Sequence, residues 1–410
     1  MMNSKALPLS GYRILDLSVM TAGPVGTVLL GDLGADVIKV EEPNQGDLAR
    51  NLGNQFVSGE SVQFLSQNRN KRSIRLDLKS ASGREVFLRM AEQADVIVEN
   101  FRPGTVDRLG IGYDVVKARN PRIIYASVSA FGQSGPYAGW PANDPIVQAV
   151  AGLMDMTGEP GGDPVRVGAP LPDFGAATLL AFGVVTALLH RERHGEGQKL
   201  DTSLLSAALL STIPRDGETL RSGVSPKRLG SGHPTMVPYR NYKGSDAAYF
   251  FAACFTEKFW RNLCNTLGRP ELLNDPRFTD NTARTVNREA LDTILEQEFA
   301  KYPAAYWVNR LTSSDVPCAM VQNYHTALTQ DPQIRHVHAV IDMPHPTVAD
   351  LTNIANPVNF HGSPAAYNRP PPLLGEHTEE VLREFGFSDT EARELLDSKV
   401  VLAATPRQGA

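Results

Sequence analysis

The sequence predicts a doubly wound parallel α/β sheet, Rossmann-like in its layers, joined to a smaller α+β domain. Two observations lead to this prediction. Before residue 130, short apolar runs of strand length alternate with segments of helical spacing, which is the pattern of βαβ units. Beyond residue 132 the chain becomes rich in Gly and Pro, and short strands and polar-faced helices follow. We therefore predict a large domain from residues 1–224 plus 326–410 and a small domain from residues 225–325.

Each element of the large domain is predicted from its own local pattern. Right-handed crossovers between successive parallel strands place helices on both faces of the sheet. The strands are predicted at residues 12–18, 35–41, 73–79, 95–100, 123–129 and 198–202, and the main helices at residues 24–33, 81–91, 175–193 and 378–384. The small domain is predicted to hold a strand pair around residues 240–251. The tail after Val401 is predicted to be mobile.

Composition and charge exclude several classes of protein. The chain has 40 basic and 45 acidic residues, and this balance predicts no bulk attraction to nucleic acid. Three cysteines without metal-ligand spacing predict a reducing compartment and no metal site. The N-terminus lacks the apolar core of a secretory signal. Residues 174–189 are fewer than the roughly 20 that span a membrane, so a buried helix is predicted. We expect a cytoplasmic protein that acts on small molecules, without membrane or nucleic-acid partners.

Asp173 is the candidate nucleophile that the residues alone select. It begins the most apolar helix of the chain and lies between Pro172 and Phe174. An aspartate that is simply solvated does not need such an apolar setting. Free backbone amides and the helix dipole would stabilise its carboxylate as an anion, and therefore as a nucleophile. The alternative is an ordinary N-cap aspartate, which is the commoner explanation of such a residue.

Basic residues cluster near the predicted strand ends, where ligands of open α/β sheets bind. They are Lys71, Arg72, Lys79, Arg102 and Arg108. Lys79 and Arg102 fall just past two such ends, so a polyanionic ligand is predicted, although each alone is typical of a solvated surface charge. The first strand–helix turn lacks a G-x-G-x-x-G pattern, which disfavours a dinucleotide site.

Seven segments together resemble the class III CoA-transferase family. They are LSGYRILDLSVMTAGPVGTVLLGDLGADVIKVEEP, NRNKRSIRLDLK, ADVIVENFRPGTVDRLGIGY, SVSAFGQSGPY, HGEGQKLDTSLLSAAL, GSGHPTMVPY and PPPLLGEHTEEVLREFG. The resemblance implies an enzyme whose catalytic aspartate opens the helix after the Gly- and Pro-rich loop, a position that Asp173 matches. It also implies an interlocked homodimer. No permanently bound cofactor is expected, because the CoA thioester is itself the substrate.

The resemblance further implies a covalent mechanism. Asp173 attacks the donor thioester and forms a mixed aspartyl anhydride, while CoA thiolate leaves and stays bound. The thiolate then forms an aspartyl-CoA thioester, the acceptor carboxylate attacks it, and CoA returns to the new acyl group. Each exchange conserves an activated acyl bond, so no ATP is required.

Binding positions also carry over from the resemblance. The CoA-binding positions are Thr21, Ala22, Leu76, Asp77, Leu78, Lys79, Asn100, Phe101, Arg102 and Arg108. A mobile glycine loop that excludes water from the carboxylate corresponds to Gly230, Gly232 and His233. Glu42 is a departure, because relatives often have Arg there, and we expect Lys71 or Arg72 to supply the missing contact.

Two other hypotheses remain open. The family includes 2-methylacyl-CoA racemases, which pair the aspartate with a His in a G-H-D segment; here Asn143 occupies that position, so one base of the pair is absent. Asn143 would instead donate a hydrogen bond to the acyl oxygen. The other hypothesis is a CoA-binding module without activity.

Some segments are most similar to family members that use succinyl-CoA and short dicarboxylates. A dicarboxylate pocket needs a cation for the distal carboxylate. Arg215, Arg228 and His233 are the candidates for this contact.

Overall fold

The computed structural model describes residues 6–404. They fall into two compact units, which are treated separately below. The large unit runs to Leu153 and continues with Arg166–Gly223 and with the chain from His336 onward. The small unit consists of Met154–Val165 and Val224–Arg335. Residues 1–5, part of the segment in which no secretory signal is predicted, lie outside the described residues.

The first half of the chain alternates strands and helices as predicted. Its elements are β1 (Arg13–Asp16), α1 (Ala22–Asp32), β2 (Asp36–Glu41), β3 (Phe56–Val57), β4 (Glu60–Ser61), α2 (Val62–Ser66), β5 (Lys71–Leu76), α3 (Ala81–Ala91), β6 (Val96–Glu99), α4 (Thr105–Arg108), α5 (Tyr113–Arg119), β7 (Ile124–Ser129), α6 (Asp144–Val150), α7 (Leu153–Met156), α8 (Leu171–His194), β8 (Lys199–Ser203), α9 (Leu204–Leu210) and α10 (Arg215–Ser222). A 3-10 turn at Leu48–Arg50 lies between β2 and β3.

The second half begins with the elements of the small unit and ends with a return to the large unit. These elements are β9 (Tyr239–Lys243), β10 (Tyr249–Ala253), α11 (Glu257–Leu267), α12 (Asn281–Val286), α13 (Arg288–Phe299), α14 (Ala304–Ser313), β11 (Cys318–Met320), α15 (Tyr324–Gln330), α16 (Pro332–His336), β12 (Val340–Met343), β13 (Leu351–Ile354), α17 (Thr378–Glu384), α18 (Asp389–Asp397) and β14 (Val401–Leu402).

The main sheet of the large unit has the strand order β14-β5-β2-β1-β6-β7-β8. Its strands run parallel except for β14, which lies antiparallel at one edge with Val401 opposite Leu76. Strand β1 lies between β2 and β6, so the strand order changes direction there. The carboxyl ends at such a switch point are where open α/β sheets bind their ligands. The predicted parallel α/β architecture is confirmed.

Helices cover both faces of this sheet because side chains alternate along each strand. On one face, Leu15 of β1 packs in a core with Phe87 of α3 and Val381 of α17. On the other face, Asp16 accepts a hydrogen bond from Thr27 Oγ1 of α1 at 2.7 Å. Helix α8 packs closely on α1, where a Cβ at Gly26 would lie 2.8 Å from a methyl carbon of Leu180.

The outer face of α8 departs from the prediction of a buried helix. Phe182 is 69 % exposed and Leu189 is 51 % exposed, so one side of the helix is not covered by the rest of the large unit. By length and composition alone, this helix meets the requirements of a membrane span, a test that core helices also pass. Contiguous exposed apolar side chains of this kind are typical of an interaction surface.

Two element boundaries correct the sequence-based prediction. Strand β5 begins at Lys71 instead of residue 73, because Lys71 and Arg72 are paired with carboxylates in the sheet and are not part of a loop. The prediction of a mobile tail after Val401 is wrong for Leu402, which forms β14 together with Val401. Most of that predicted tail, residues 405–410, lies outside the described residues.

The small unit has α+β character. An antiparallel sheet in the order β11-β10-β9 packs with the helices that follow β10. Phe250 and Phe299 have no exposed surface, and their rings meet edge to face at 5.0 Å.

Candidate active site

Asp173 is the third residue of α8 and lies in its first turn. Pro170 is the N-cap residue, and Pro172 occupies the first turn, where proline is tolerated because the amide has no helical partner. The alternative of a plain N-cap aspartate is therefore wrong. The Asp173 side chain is half-buried, and its backbone N–H donates to Asp144 Oδ2 at 3.2 Å.

Asp144 is the functional candidate that sequence reasoning missed. It is the first residue of α6, it is buried, and its Oδ1 accepts from Gln148 Nε2 at 2.6 Å. Gln148 in turn accepts from the Val167 N–H at 2.9 Å, which ties the end of the Gly- and Pro-rich loop to α6. An Asp before a Pro is typical of a helix start, and no local signal reveals its burial beside Asp173.

The electrostatic setting of Asp173 differs from the expected one. Burial, together with the negative charge of Asp144, raises the pKa of Asp173 to about 6. No cation among residues 6–404 contributes to this shift. A carboxyl group with this pKa is still mostly ionised at pH 7. The result is a carboxylate that is charged, partly desolvated and not neutralised by a salt bridge.

Asn143 is the N-cap residue of α6, directly before Asp144. Its side chain is exposed and makes no capping hydrogen bond to the helix. The structure therefore brings Asn143, Asp144 and Asp173 to one region of the large unit. The amide of Asn143 remains available to a ligand there.

A mainly apolar cavity of about 270 Å³ opens at the carboxyl ends of β1, β2, β5 and β6. Five of the predicted CoA-binding residues line it: Leu76, Asp77, Leu78, Lys79 and Phe101. Leu17, Val40 and Leu109 complete the apolar wall. The cavity lies at the switch point of the sheet, where a ligand is expected from the topology.

The other predicted CoA-binding residues are near this edge but do not line the cavity. Thr21 is the N-cap residue of α1, and Ala22 is its first residue. Asn100 binds the turn after β1 through two hydrogen bonds to Val19. Its Nδ2 donates to Val19 O at 2.7 Å, and its Oδ1 accepts the Val19 N–H at 2.9 Å. Arg102 and Arg108 are both exposed, which leaves two guanidinium groups accessible.

Lys71 and Arg72 do not supply a ligand contact in place of the Arg that position 42 lacks. Lys71 is completely buried, and its ammonium group donates to Asp16 Oδ2 at 2.9 Å. Arg72 pairs with Asp36 at 2.6 Å. Both cations are paired with carboxylates of other strands of the sheet. The expectation that one of them contacts CoA in place of an arginine at position 42 is therefore wrong. Glu42 itself lines the cavity.

The predicted glycine lid belongs to the small unit and is held there by local contacts. Gly230 has φ +57°, and a Cβ at this position would lie 2.4 Å from a carboxylate oxygen of Glu159. At Gly232 a Cβ would approach a backbone oxygen to 3.0 Å. The His233 ring packs 5.0 Å from the Tyr239 ring. The role of this loop as a lid stays a prediction.

The two arginine candidates for binding a distal substrate carboxylate already have acidic partners. Arg215 of the large unit pairs with Glu218 at 2.9 Å. Arg228 of the small unit pairs with Asp155 at 3.3 Å. Each arginine has to exchange its present partner for a substrate carboxylate if it binds one.

The family model of CoA-transferase family III matches residues 9–378. The chain belongs to this family. It is 37 % identical over 396 residues to the succinyl-CoA:glutarate CoA-transferase of Homo sapiens, covering 96 % of this chain and 90 % of that one. It is 38 % identical over 380 residues to the acetyl-CoA:oxalate CoA-transferase of Acetobacter aceti, covering 92 % and 96 %. A crystal structure of a CaiB/BaiF family protein from Brucella suis matches with a TM-score of 0.83 and 34 % identity, covering 93 % and 100 %.

The predicted resemblance is thus confirmed over nearly the whole chain. As a member of CoA-transferase family III, the protein is an enzyme that uses CoA thioesters as substrates.

Proposed function

We propose that the protein transfers CoA from an acyl-CoA donor to a short dicarboxylate, with Asp173 as the nucleophile. The observation that carries this proposal is the state of Asp173, a half-buried carboxylate with a raised pKa and no cationic partner in the described part of the chain. Structural aspartates are paired or solvated, whereas a nucleophile needs a charge that remains available to the substrate.

The exchange proceeds in two half-reactions, one with the donor and one with the acceptor, and each passes through a mixed anhydride of Asp173. Asp173 attacks the donor carbonyl, the C–S bond breaks, and a mixed anhydride and CoA thiolate form. The thiolate attacks the Asp173 carbonyl carbon, which releases the donor carboxylate and leaves an aspartyl-CoA thioester. The acceptor carboxylate then displaces the thiolate from that carbon, and the thiolate attacks the acceptor carbonyl. This last step yields the new acyl-CoA and regenerates the Asp173 carboxylate, so no external energy source is consumed.

Asp144 favours the covalent intermediates. In the free enzyme the Asp144 carboxylate accepts the backbone N–H of Asp173, and the repulsion between the two negative charges contributes to the raised pKa of Asp173. When Asp173 is acylated it loses its negative charge, so this repulsion disappears. The resting enzyme is destabilised relative to the intermediates, and this lowers the barrier to their formation.

The cavity at the switch point is suited to the base of CoA. Its wall is mainly apolar, and Phe101 supplies an aromatic ring. Arg102 and Arg108 are exposed nearby in sequence, and guanidinium groups bind phosphates well. We assign the base to the cavity and the phosphates to the cations outside it.

The relatives support a dicarboxylate acceptor more than a particular donor. The two named enzymes use different donors, succinyl-CoA and acetyl-CoA, but glutarate and oxalate are both dicarboxylates. Succinyl-CoA is the first donor to test, because the succinyl group is itself derived from a dicarboxylate and fits the same pocket as such an acceptor.

The working form is proposed to be a homodimer in the cytoplasm. Large apolar side chains are exposed on three helices of the large unit: Phe182 on α8, Leu210 on α9 and Leu220 on α10. A second copy of the chain would cover them. Light scattering should give twice the mass of the chain; a monomer that binds lipid vesicles would contradict the dimer and favour a membrane partner.

Mass spectrometry of CoA esters tests the activity directly. The enzyme is mixed with succinyl-CoA and a panel of oxalate, malonate, glutarate, itaconate, acetate and benzoate, in parallel with Asp173→Asn protein. We expect a new dicarboxyl-CoA with the wild type alone. An unchanged succinyl-CoA pool would refute the succinyl donor, and a new ester formed only from acetate or benzoate would refute the dicarboxylate acceptor. Deuterium uptake at an α-carbon without exchange would instead support the racemase.

A further inference from the structure

The turn between β1 and α1 contains a backbone conformation that its sequence does not favour. Met20 has φ +67°, in the left-handed region that residues with a Cβ rarely occupy. Such a conformation persists only where surrounding contacts impose it. Contacts from residues outside the turn must therefore stabilise this conformation of Met20.

Asn100 binds the backbone of Val19 in this turn, and the side chain of Asp47 binds Met20 itself. Its Oδ1 accepts the Met20 N–H at 2.9 Å, and its Oδ2 lies 2.8 Å from the ammonium group of Lys39. Lys39 also donates to Ser18 O at 2.7 Å. One buried ion pair thus contacts the turn at two backbone positions. The exposed fraction of both charged side chains is 1 % or less.

Asp47 is itself fixed by residues that precede and follow it. Its N–H donates to Glu41 Oε2 at 2.9 Å, and Glu41 receives two hydrogen bonds from Arg50 at 2.8 and 2.7 Å. Gly46 has φ +67°, and a Cβ there would lie 2.7 Å from the same Glu41 oxygen. The position of the Asp47 carboxylate is therefore set by the protein and needs no ligand.

The turn between β1 and α1 borders the cavity at the switch point of the sheet. Val19, Asp47 and Lys39 are among the residues that line it, and Thr21 directly follows Met20 as the N-cap of α1. We propose that Asp47 is a positioning residue for CoA, because its hydrogen bond to Met20 fixes the turn that carries the amides of α1 to the edge of the cavity. The inference rests on the proposed function, since it takes CoA as the ligand.

Two variants of the same size isolate this hydrogen bond. Asp47→Asn and Asp47→Leu both remove the charge opposite Lys39, but only asparagine keeps an acceptor for the Met20 N–H. We expect the Kd of CoA, measured by calorimetry, to be about tenfold higher for Asp47→Leu than for Asp47→Asn. The KM of the acceptor should not differ between them. If Asp47→Leu does not fold, Asp47→Ala takes its place with the same expectation.

The decisive comparison repeats this pair in a Met20→Gly background. Glycine adopts the left-handed conformation without help, so the difference between the two variants should shrink to about twofold. Asp47 Oδ1 also accepts the Ala49 N–H at 2.9 Å. A tenfold difference that persists with Met20→Gly would show that only this second bond matters and would overturn the inference.

Failure of the proposed function gives a different result. If wild-type protein binds no CoA, the proposed ligand is wrong, and with it the role of Asp47 in CoA binding. If the wild type binds CoA and the two Asp47 variants have equal Kd values in the parent sequence, the proposed function stands and the positioning role is overturned.

Discussion

Two aspartates of the large unit, Asp16 and Asp173, have opposite pKa shifts and neighbours of opposite charge. We compare Asp16 as a structural carboxylate with Asp173 as the proposed reactive one. Asp16 ends β1 and is completely buried, yet its pKa is about 2. Burial alone would raise the pKa of Asp16, but the nearby charges of Lys71 and Lys39 outweigh it. Asp173 is less buried, but its pKa is about 6, because burial raises it and the charge of the neighbouring Asp144 adds to this shift instead of opposing it.

Burial raises the pKa of both carboxyl groups, and the difference between them is the charge of their neighbours: cations oppose the effect of burial at Asp16, and a carboxylate adds to it at Asp173. Asp16 is an acceptor for Ser18, Thr27 and Lys71 and has no free charge to offer. Asp173 keeps its charge available at the start of α8. The following predictions test this contrast, beginning with the largest expected effect.

Removal of the Asp173 carboxylate should stop CoA transfer. Asp173→Asn keeps the size of the side chain but replaces the nucleophile, so the rate of new CoA-ester formation should fall at least about 1,000-fold. CoA binding measured by calorimetry should change little. Asp114→Asn is a matched control, because Asp114 also lies in the first turn of a helix but is exposed. Retention of turnover by Asp173→Asn would remove this residue from the mechanism.

Loss of the cation beside Asp16 should destabilise the fold. Lys71→Met leaves Asp16 buried beside fewer cations, and breaking a buried pair costs about 3–5 kcal/mol of unfolding free energy. The measurement is chemical denaturation. Lys258→Met is the control, since Lys258 pairs with Asp315 at an exposed site, where the expected cost is below about 1 kcal/mol. Equal losses in the two variants would contradict the contrast.

The charge of Asp144 should contribute to the acid side of the pH profile, in addition to the effect of burial. Burial and Asp144 raise the pKa of Asp173 to about 6, so kcat/KM should fall as the pH drops through 6 and Asp173 becomes protonated. Asp144→Asn removes the repulsion, lowers the pKa of Asp173 and should move this midpoint to lower pH. A midpoint that stays in place or moves upward would show that Asp144 does not act through charge.

The smallest expected effect is a gain in stability. A group whose pKa is raised by folding opposes folding at pH values above that pKa, so Asp173→Asn should melt higher than the wild type at pH 8, by about 1–2 °C. The difference should shrink between pH 6 and pH 4, where Asp173 becomes protonated in the folded state. A difference that is constant with pH would point to packing instead of charge.

Local patterns predicted the elements of the fold well. The helices at residues 81–91 and 378–384 have the predicted bounds, because a capping serine and helical spacing define the first, and a Gly-Glu turn precedes the second. The start of β5 was missed, because Lys71 and Arg72 are charged and are typical of a loop. Only their partners, which are distant in sequence, explain their place in a strand.

The candidate site was predictable only in part. Asp173 and the cavity residues Leu76–Lys79 followed from strand ends and from family resemblance. Asp144 did not, because its importance arises from a contact with a residue 29 positions later in the chain. The hydrogen bond from the Met20 N–H to Asp47 could not be predicted either, since no sequence pattern indicates a left-handed φ at a methionine.

The edge strand β14 has a consequence for biosynthesis. Its partner β5 is translated early, yet Val401 reaches Leu76 only after the intervening helices, the small unit and α18 have been made. At about 5–20 residues per second, the open edge of β5 waits for tens of seconds on the ribosome. An uncovered strand edge is a template for pairing with other chains. The nascent protein therefore exposes an unpaired strand edge during translation, when chaperones that bind emerging chains can protect it.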